Sequence, residues 1–185
     1  MDVKLLRLFQ RQVAEQSAMS MHGFAMVDAG LRRIYANLHS FKIVSSEPVW
    51  LGMHVALAGA GNVAKALWGS GGKKSAKRLV LRESLGVKED SPLQDTDLRN
   101  HIEHFDERLE RWWESAERNH FVDGFIGAKD QMQGASGQDL FRMYDPEIAT
   151  AYFWDEAFPL ADVQKEVSRL QVRALTESRK RDVTF

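Results

Sequence analysis

Apolar residues recur at steps of three and four along most of this chain, and they change to another rhythm only towards the C-terminus. Val3, Leu6, Phe9, Val13 and Ala14 share one side of a helix predicted over residues 2–18. Phe24, Val27, Leu31, Ile34, Leu38 and Phe41 predict a second helix over about 20–44, in which Gly23 and Gly30 each cost about 1 kcal/mol against alanine. Pro48, after Ser45, Ser46 and Glu47, suits the first turn of a third helix running to about Leu67. Gly52, Ala56, Ala58, Gly59, Ala60 and Gly61 give it a small-residue surface that another helix can approach closely. Gly69-Ser70-Gly71-Gly72 ends it in a turn. A short helix bearing Lys73, Lys74, Lys77, Arg78 and Arg82 then runs to about Leu85, and a loop containing Pro92 follows.

The next stretch, Leu98 to Trp113, is the most sharply two-faced. Leu98, Ile102, Phe105, Leu109, Trp112 and Ala116 form one stripe. Arg99, Asn100, Glu103, His104 and Glu107 form the opposite face, and Asp95, Thr96 or Asp97 can cap the helix. Beyond Glu117 the pattern shifts. Phe121 to Gly127 reads as a short strand or extended segment, and 127–139 as a loop. Leu140–Tyr144 and Ile148–Trp154 are aromatic and β-branched, joined by Asp145-Pro146-Glu147, which is a hairpin signal over about 140–154. Pro159 to Arg181 returns to helical spacing through Leu160, Val163, Val167, Leu170 and Ala174. The predicted fold is mostly α: a single-domain helical bundle of about five or six helices, with a small β-hairpin before the C-terminal helix at about 159–181.

Composition narrows the function. The 185 residues are 44% hydrophobic and 28% charged, ordinary for a soluble globular chain, and the formal net charge of −1 argues against wholesale electrostatic binding to nucleic acid. The absence of cysteine removes disulfides, thiolate metal sites and cysteine nucleophiles. Met1-Asp2-Val3-Lys4 lacks a signal-peptide pattern. The apolar run from Val49 to Trp68 contains His54, Asn62 and Lys65, so a buried helix is expected there rather than a membrane span. A cytoplasmic protein with no membrane partner is the expectation.

Several motifs compete for the chemistry. Gly71-Gly72-Lys73-Lys74-Ser75 falls short of a phosphate-binding loop, because position 67 is leucine, position 74 is lysine, and a helix precedes it. Asp97, His101 and His104 share a helical face suited to zinc or iron, and Glu117-x-x-His120 has the spacing of half a di-iron site. No second Glu-x-x-His accompanies it, so neither metal nor cofactor is expected.

Arg99, Asn100 and His104 carry more. An arginine, a polar residue and a histidine one helical turn further on, inside an all-α bundle, resemble the hallmark of the HEPN superfamily. Asn62 to Trp68, Leu81-Arg82 and Leu98 to Trp113 also resemble a bacterial protein family in which a hairpin and a C-terminal helix follow. The resemblance covers a core of about 20–120. It implies metal-independent RNA cleavage of the toxin or defence type, with two copies of the helix meeting in a homodimer. His104 would act as base or acid, Arg99 would hold the phosphoryl oxygens, and Asn100 would orient the imidazole or bind the phosphate. Lys73, Lys74, Lys77 and Arg78 would add substrate contacts to RNA phosphates. An antitoxin-type protein would be a further partner. Glu103, Asp106 and Glu107 depart from an inviting phosphate site, and Glu103 can pair with Arg99. The alternative is a non-catalytic helical interaction or nucleotide-binding module, in which those charges are a solvated face.

Overall fold

The structure is a computed structural model that describes residues 1–38, 44–70, 72–94, 104–115, 121–132, 139–153 and 156–180. It opens with one long helix, α1 (Val3–Ala36), capped by the Asp2 carboxylate, which accepts from the amides of Lys4 and Leu5. The two helices expected over 2–18 and 20–44 are one. Gly23 and Gly30 do not weaken it, because both are contact points for α2 (Glu47–Trp68). A Cβ on Gly23 would fall 2.2 Å from the Ala56 amide nitrogen, and one on Gly52 would fall 2.7 Å from that of Val27. The glycines cost helix propensity, but they let two backbones meet, and the packing outweighs the cost.

Two short helices follow, α3 (Gly72–Lys77) and α4 (Leu79–Leu85), broken from each other at Arg78. Arg82 ties this corner together by donating to the Leu67 and Ser75 carbonyls at 2.7 and 3.0 Å. Next come α5 (Phe105–Ser115) and, after the sheet, α6 (Ala161–Ser178). α1 packs along both α2 and α6. Val13, Phe24 and Val27 from α1 share the core with Val49, Met53, Val63 and Leu67 from α2 and with Val167 and Leu170 from α6. Burying side chains of this size stabilises by about 1.5–3 kcal/mol each, so these three helices dominate the stability.

The hairpin expected over 140–154 forms as β2 (Leu140–Asp145) and β3 (Thr150–Phe153), with Tyr144 opposite Ala151. It is not the whole sheet. β1 (Val122–Ile126) pairs parallel to β2, and β4 (Glu156–Pro159) pairs antiparallel to β3, in the spatial order β1-β2-β3-β4. β4 lies just ahead of the last helix and takes in Pro159, where that helix was expected to begin. Only Phe158 of its four residues is buried, so its side chains carry little periodic signal, and backbone pairing with β3 decides it.

α5 also departs from expectation. Its stripe was expected to be buried, yet Phe105 and Leu109 are 60% and 41% exposed, as is Trp113 just off the stripe at 52%. Among the described residues of α5 only Trp112 is buried, with its ring 5.2 Å from Phe141 and 5.6 Å from Phe121. Trp113 also stacks on Phe121 at 4.8 Å, so α5 is a peripheral helix held by its two tryptophans, and α1 is the organising element.

Candidate functional site

The expected site is only partly within view. Arg99 and Asn100 lie outside the described residues, as do Asp97, His101, Glu103, Glu117 and His120. His104 sits in the turn before α5, where its carbonyl accepts the Arg108 amide at 3.1 Å. Its side chain is 55% exposed, with Nδ1 3.7 Å from the Glu107 carboxylate. Lys73, Lys74 and Lys77 are exposed on α3. Arg78 turns inward instead and lies 3.6 Å over the Phe9 ring. These basic residues and His104 belong to separate parts of the fold, the basic residues to α3 and the corner after it and His104 to the turn before α5.

A different constellation does assemble. A cleft of about 330 Å³ is lined by His54 of α2, Phe105 and Leu109 of α5, Asp123 of β1, Phe141 and Arg142 of β2, and Phe153 of β3. The register of the parallel pair sets Asp123 beside Arg142. The guanidinium then meets the carboxylate as two parallel bonds, Nε to Oδ1 and Nη2 to Oδ2, both 2.7 Å. The same guanidinium lies 5.2 Å over the Trp50 ring of α2 and 5.8 Å over Phe141. Gly124, with φ 74°, follows Asp123. A Cβ there would come within 3.1 Å of Trp50 Nε1, so only glycine lets β1 approach α2 this closely.

His54, one turn along α2 from Trp50, completes the cleft. Burial holds its pKa below the ordinary 6.5, and the nearby Arg142 charge lowers it further; a backbone bond to Trp50 and the Asp123 carboxylate act in the opposite direction. The net result favours neutral imidazole, which offers one donor and one acceptor. The cleft thus combines flat apolar walls, one neutral imidazole and a cation already balanced by its carboxylate. Among the described residues, no serine, threonine or cysteine lines it.

Sequence reasoning missed these residues. His54 registered only as an interruption of an apolar run, and Arg142 only as part of a strand. The available signal was a lone charge in an otherwise apolar strand, Leu140-Phe141-Arg142-Met143-Tyr144, and a lone imidazole in an apolar helix. A half-buried position favours a partner for each of them, but the partner's identity depends on strand register.

No helix among the described residues is long and apolar enough to cross a membrane. Compared with known proteins, the chain matches no family model, no curated protein and no solved structure.

Proposed function

We propose that this chain is a HEPN-like helical binding module whose cleft at His54, Asp123 and Arg142 takes a planar heteroaromatic group, a nucleobase in the first instance. One observation carries the reading: aromatic walls and hydrogen-bonding groups converge on one concave site, with no serine, threonine or cysteine among its described lining residues. Phe105 supplies a face for stacking, worth about 1–3 kcal/mol per base, and the buried Phe141 closes the floor. Neutral His54, whose one N–H is engaged with the Trp50 backbone, and the Asp123 carboxylate supply the acceptors that an exocyclic amine needs. Arg142 spends two of its nitrogens on Asp123 and keeps Nη1 for a ligand oxygen.

The test is a titration with each of the four ribonucleoside monophosphates, following the His54 ring resonances. Saturable shifts are expected with a Kd between micromolar and millimolar. Phe105→Ala and Arg142→Gln should weaken binding several-fold, while His104→Ala leaves it unchanged. No saturable shift with any of them up to about 10 mM overturns the reading.

One observation favours a second reading. His104 stands exposed immediately before Phe105, so that histidine and the cleft share one end of α5. This supports metal-independent RNA cleavage through Arg99, Asn100 and His104 in a homodimer. Incubation with total RNA in EDTA decides it: cleavage lost in His104→Ala supports the nuclease, and intact RNA with the wild-type chain removes it.

A further inference from the structure

The hydrogen-bonding groups of the cleft are unevenly divided between donors and acceptors. Among its described lining residues the polar side chains are His54, Asp123 and Arg142. The Asp123 carboxylate only accepts, and each of its oxygens keeps lone-pair capacity beyond its bond to Arg142. Neutral His54 has its one N–H engaged with the Trp50 backbone, which leaves the other ring nitrogen as an acceptor. The charges of both Asp123 and Arg142 are felt at this imidazole, so the three groups serve one small volume. Arg142 alone donates, through the Nη1 that its two bonds to Asp123 leave over. The balance is two acceptor groups to one donor group.

The four RNA bases differ in what they offer such a set. Along its pairing edge guanine presents an acceptor, O6, followed by two donors, N1–H and the 2-amine. Adenine and cytosine present a single donor group there, the exocyclic amine. Uracil presents a single donor, N3–H, between two acceptors. With any of these three, one acceptor group of the cleft is left without a proton. A polar group shut off from water without its partner carries the larger penalty, and sites built around such groups discriminate most strongly.

We propose that the cleft selects guanine among the bases. Arg142 and Asp123 are bonded neighbours, so they take the neighbouring O6 and N1–H, and His54 accepts from the 2-amine while the ring lies against Phe105. The inference rests on the base-binding reading and adds which base is chosen and which side chain makes the choice.

The experiment titrates the full chain with guanosine, inosine and adenosine monophosphates, following the backbone amide resonances of β1. Inosine monophosphate is the guanosine compound without its 2-amine, so it keeps O6, N1–H and the stacking ring. Guanosine monophosphate should bind at least about fivefold tighter than the inosine compound and about tenfold tighter than the adenosine one. His54→Phe keeps a flat ring and removes the acceptor, so the ratio of guanosine to inosine affinity should fall to about one. Amide resonances outside the cleft report that the variant folds, and the wild-type ratios test the proposal without any substitution. Equal binding of the three ligands overturns the choice of guanine and leaves the base-binding reading standing. No saturable shift with any of them removes both. A preference for the 2-amine that persists in His54→Phe overturns the assignment to His54.

Discussion

Arg142 holds Asp123 through two parallel 2.7 Å hydrogen bonds while its guanidinium lies over the Trp50 ring, so one side chain joins β1, β2 and α2. The pair is partly exposed, at 25% and 48%. Water therefore screens it, and its worth to stability is at most about 1 kcal/mol. Asp123→Asn should lower the urea midpoint only slightly. Arg142→Ala should cost more, because it also removes the contact with Trp50, worth about 0.5–1 kcal/mol. Equal costs for the two substitutions would show that the ring contact contributes nothing.

His54 reports on the same pair. Its folded pKa lies below the ordinary 6.5, so the unfolded chain binds the proton more tightly. The stability this group contributes is complete above about pH 6.5 and is lost as pH falls through the folded value. Asp123→Asn should depress the His54 pKa further, and Arg142→Gln should raise it. Proton NMR titration of the imidazole reads both shifts, and a shift in the reverse sense would remove Arg142 and Asp123 as its neighbours.

The end of α6 should make the fold acid-sensitive through one carboxylate. Glu177 is buried and accepts from Lys180, with Arg173 Nη2 3.0 Å away; these contacts, the Lys180 bond foremost, hold its pKa below 4.5. Its backbone carbonyl accepts from Arg7 Nη1 at 2.7 Å, linking α6 to α1. Stability from the carboxylate is present above about pH 4.5 and disappears as pH falls through the lower folded value. Glu177→Gln should flatten the denaturation profile below pH 4.5 and leave its slope at neutral pH unchanged.

Gly23→Ala sets two effects against each other. Helix propensity favours alanine by about 1 kcal/mol. The new Cβ, however, would sit 2.2 Å from a backbone nitrogen of α2, and overpacking against backbone costs about 1–3 kcal/mol or more. The variant should be less stable by about 2 kcal/mol in urea unfolding. A gain in stability would mean that α1 and α2 are not in backbone contact at this point.

Trp112→Ala should release α5 without unfolding the bundle. Trp112 is the buried residue of that helix, and the α1–α2–α6 core does not depend on it. Amide hydrogen exchange should speed up over 105–115 and stay slow in α1 and α2. Loss of protection in α1 as well would make α5 part of the central core.

How much could be read in advance differs by element. α2 and α6 show in their spacing because one face of each meets the core, and the β2–β3 hairpin shows in its aromatic and β-branched residues and its Pro146 turn. The continuity of α1 through Gly23 did not show, because a glycine's cost is visible in a sequence while its packing partner is not. The stripe of α5 was legible as a pattern and misleading as to burial. Periodicity tells which residues share a face, and only the extent of Phe121 and Phe141 tells how much of that face is covered.

The site divides along the same line. Sequence by itself determined a mostly helical chain without cysteine chemistry, a local basic run at Lys73–Arg78, and a two-faced helix ending at paired tryptophans. Those properties are local: each depends on residues within a few turns of one another. Tertiary structure alone decided that His54, Asp123 and Arg142, up to 88 positions apart, share one cleft, and that Lys74 and Arg78 border an apolar groove. The reason is physical: a parallel strand register and a backbone-close helix crossing bring distant residues together, and neither leaves a periodic trace in the chain.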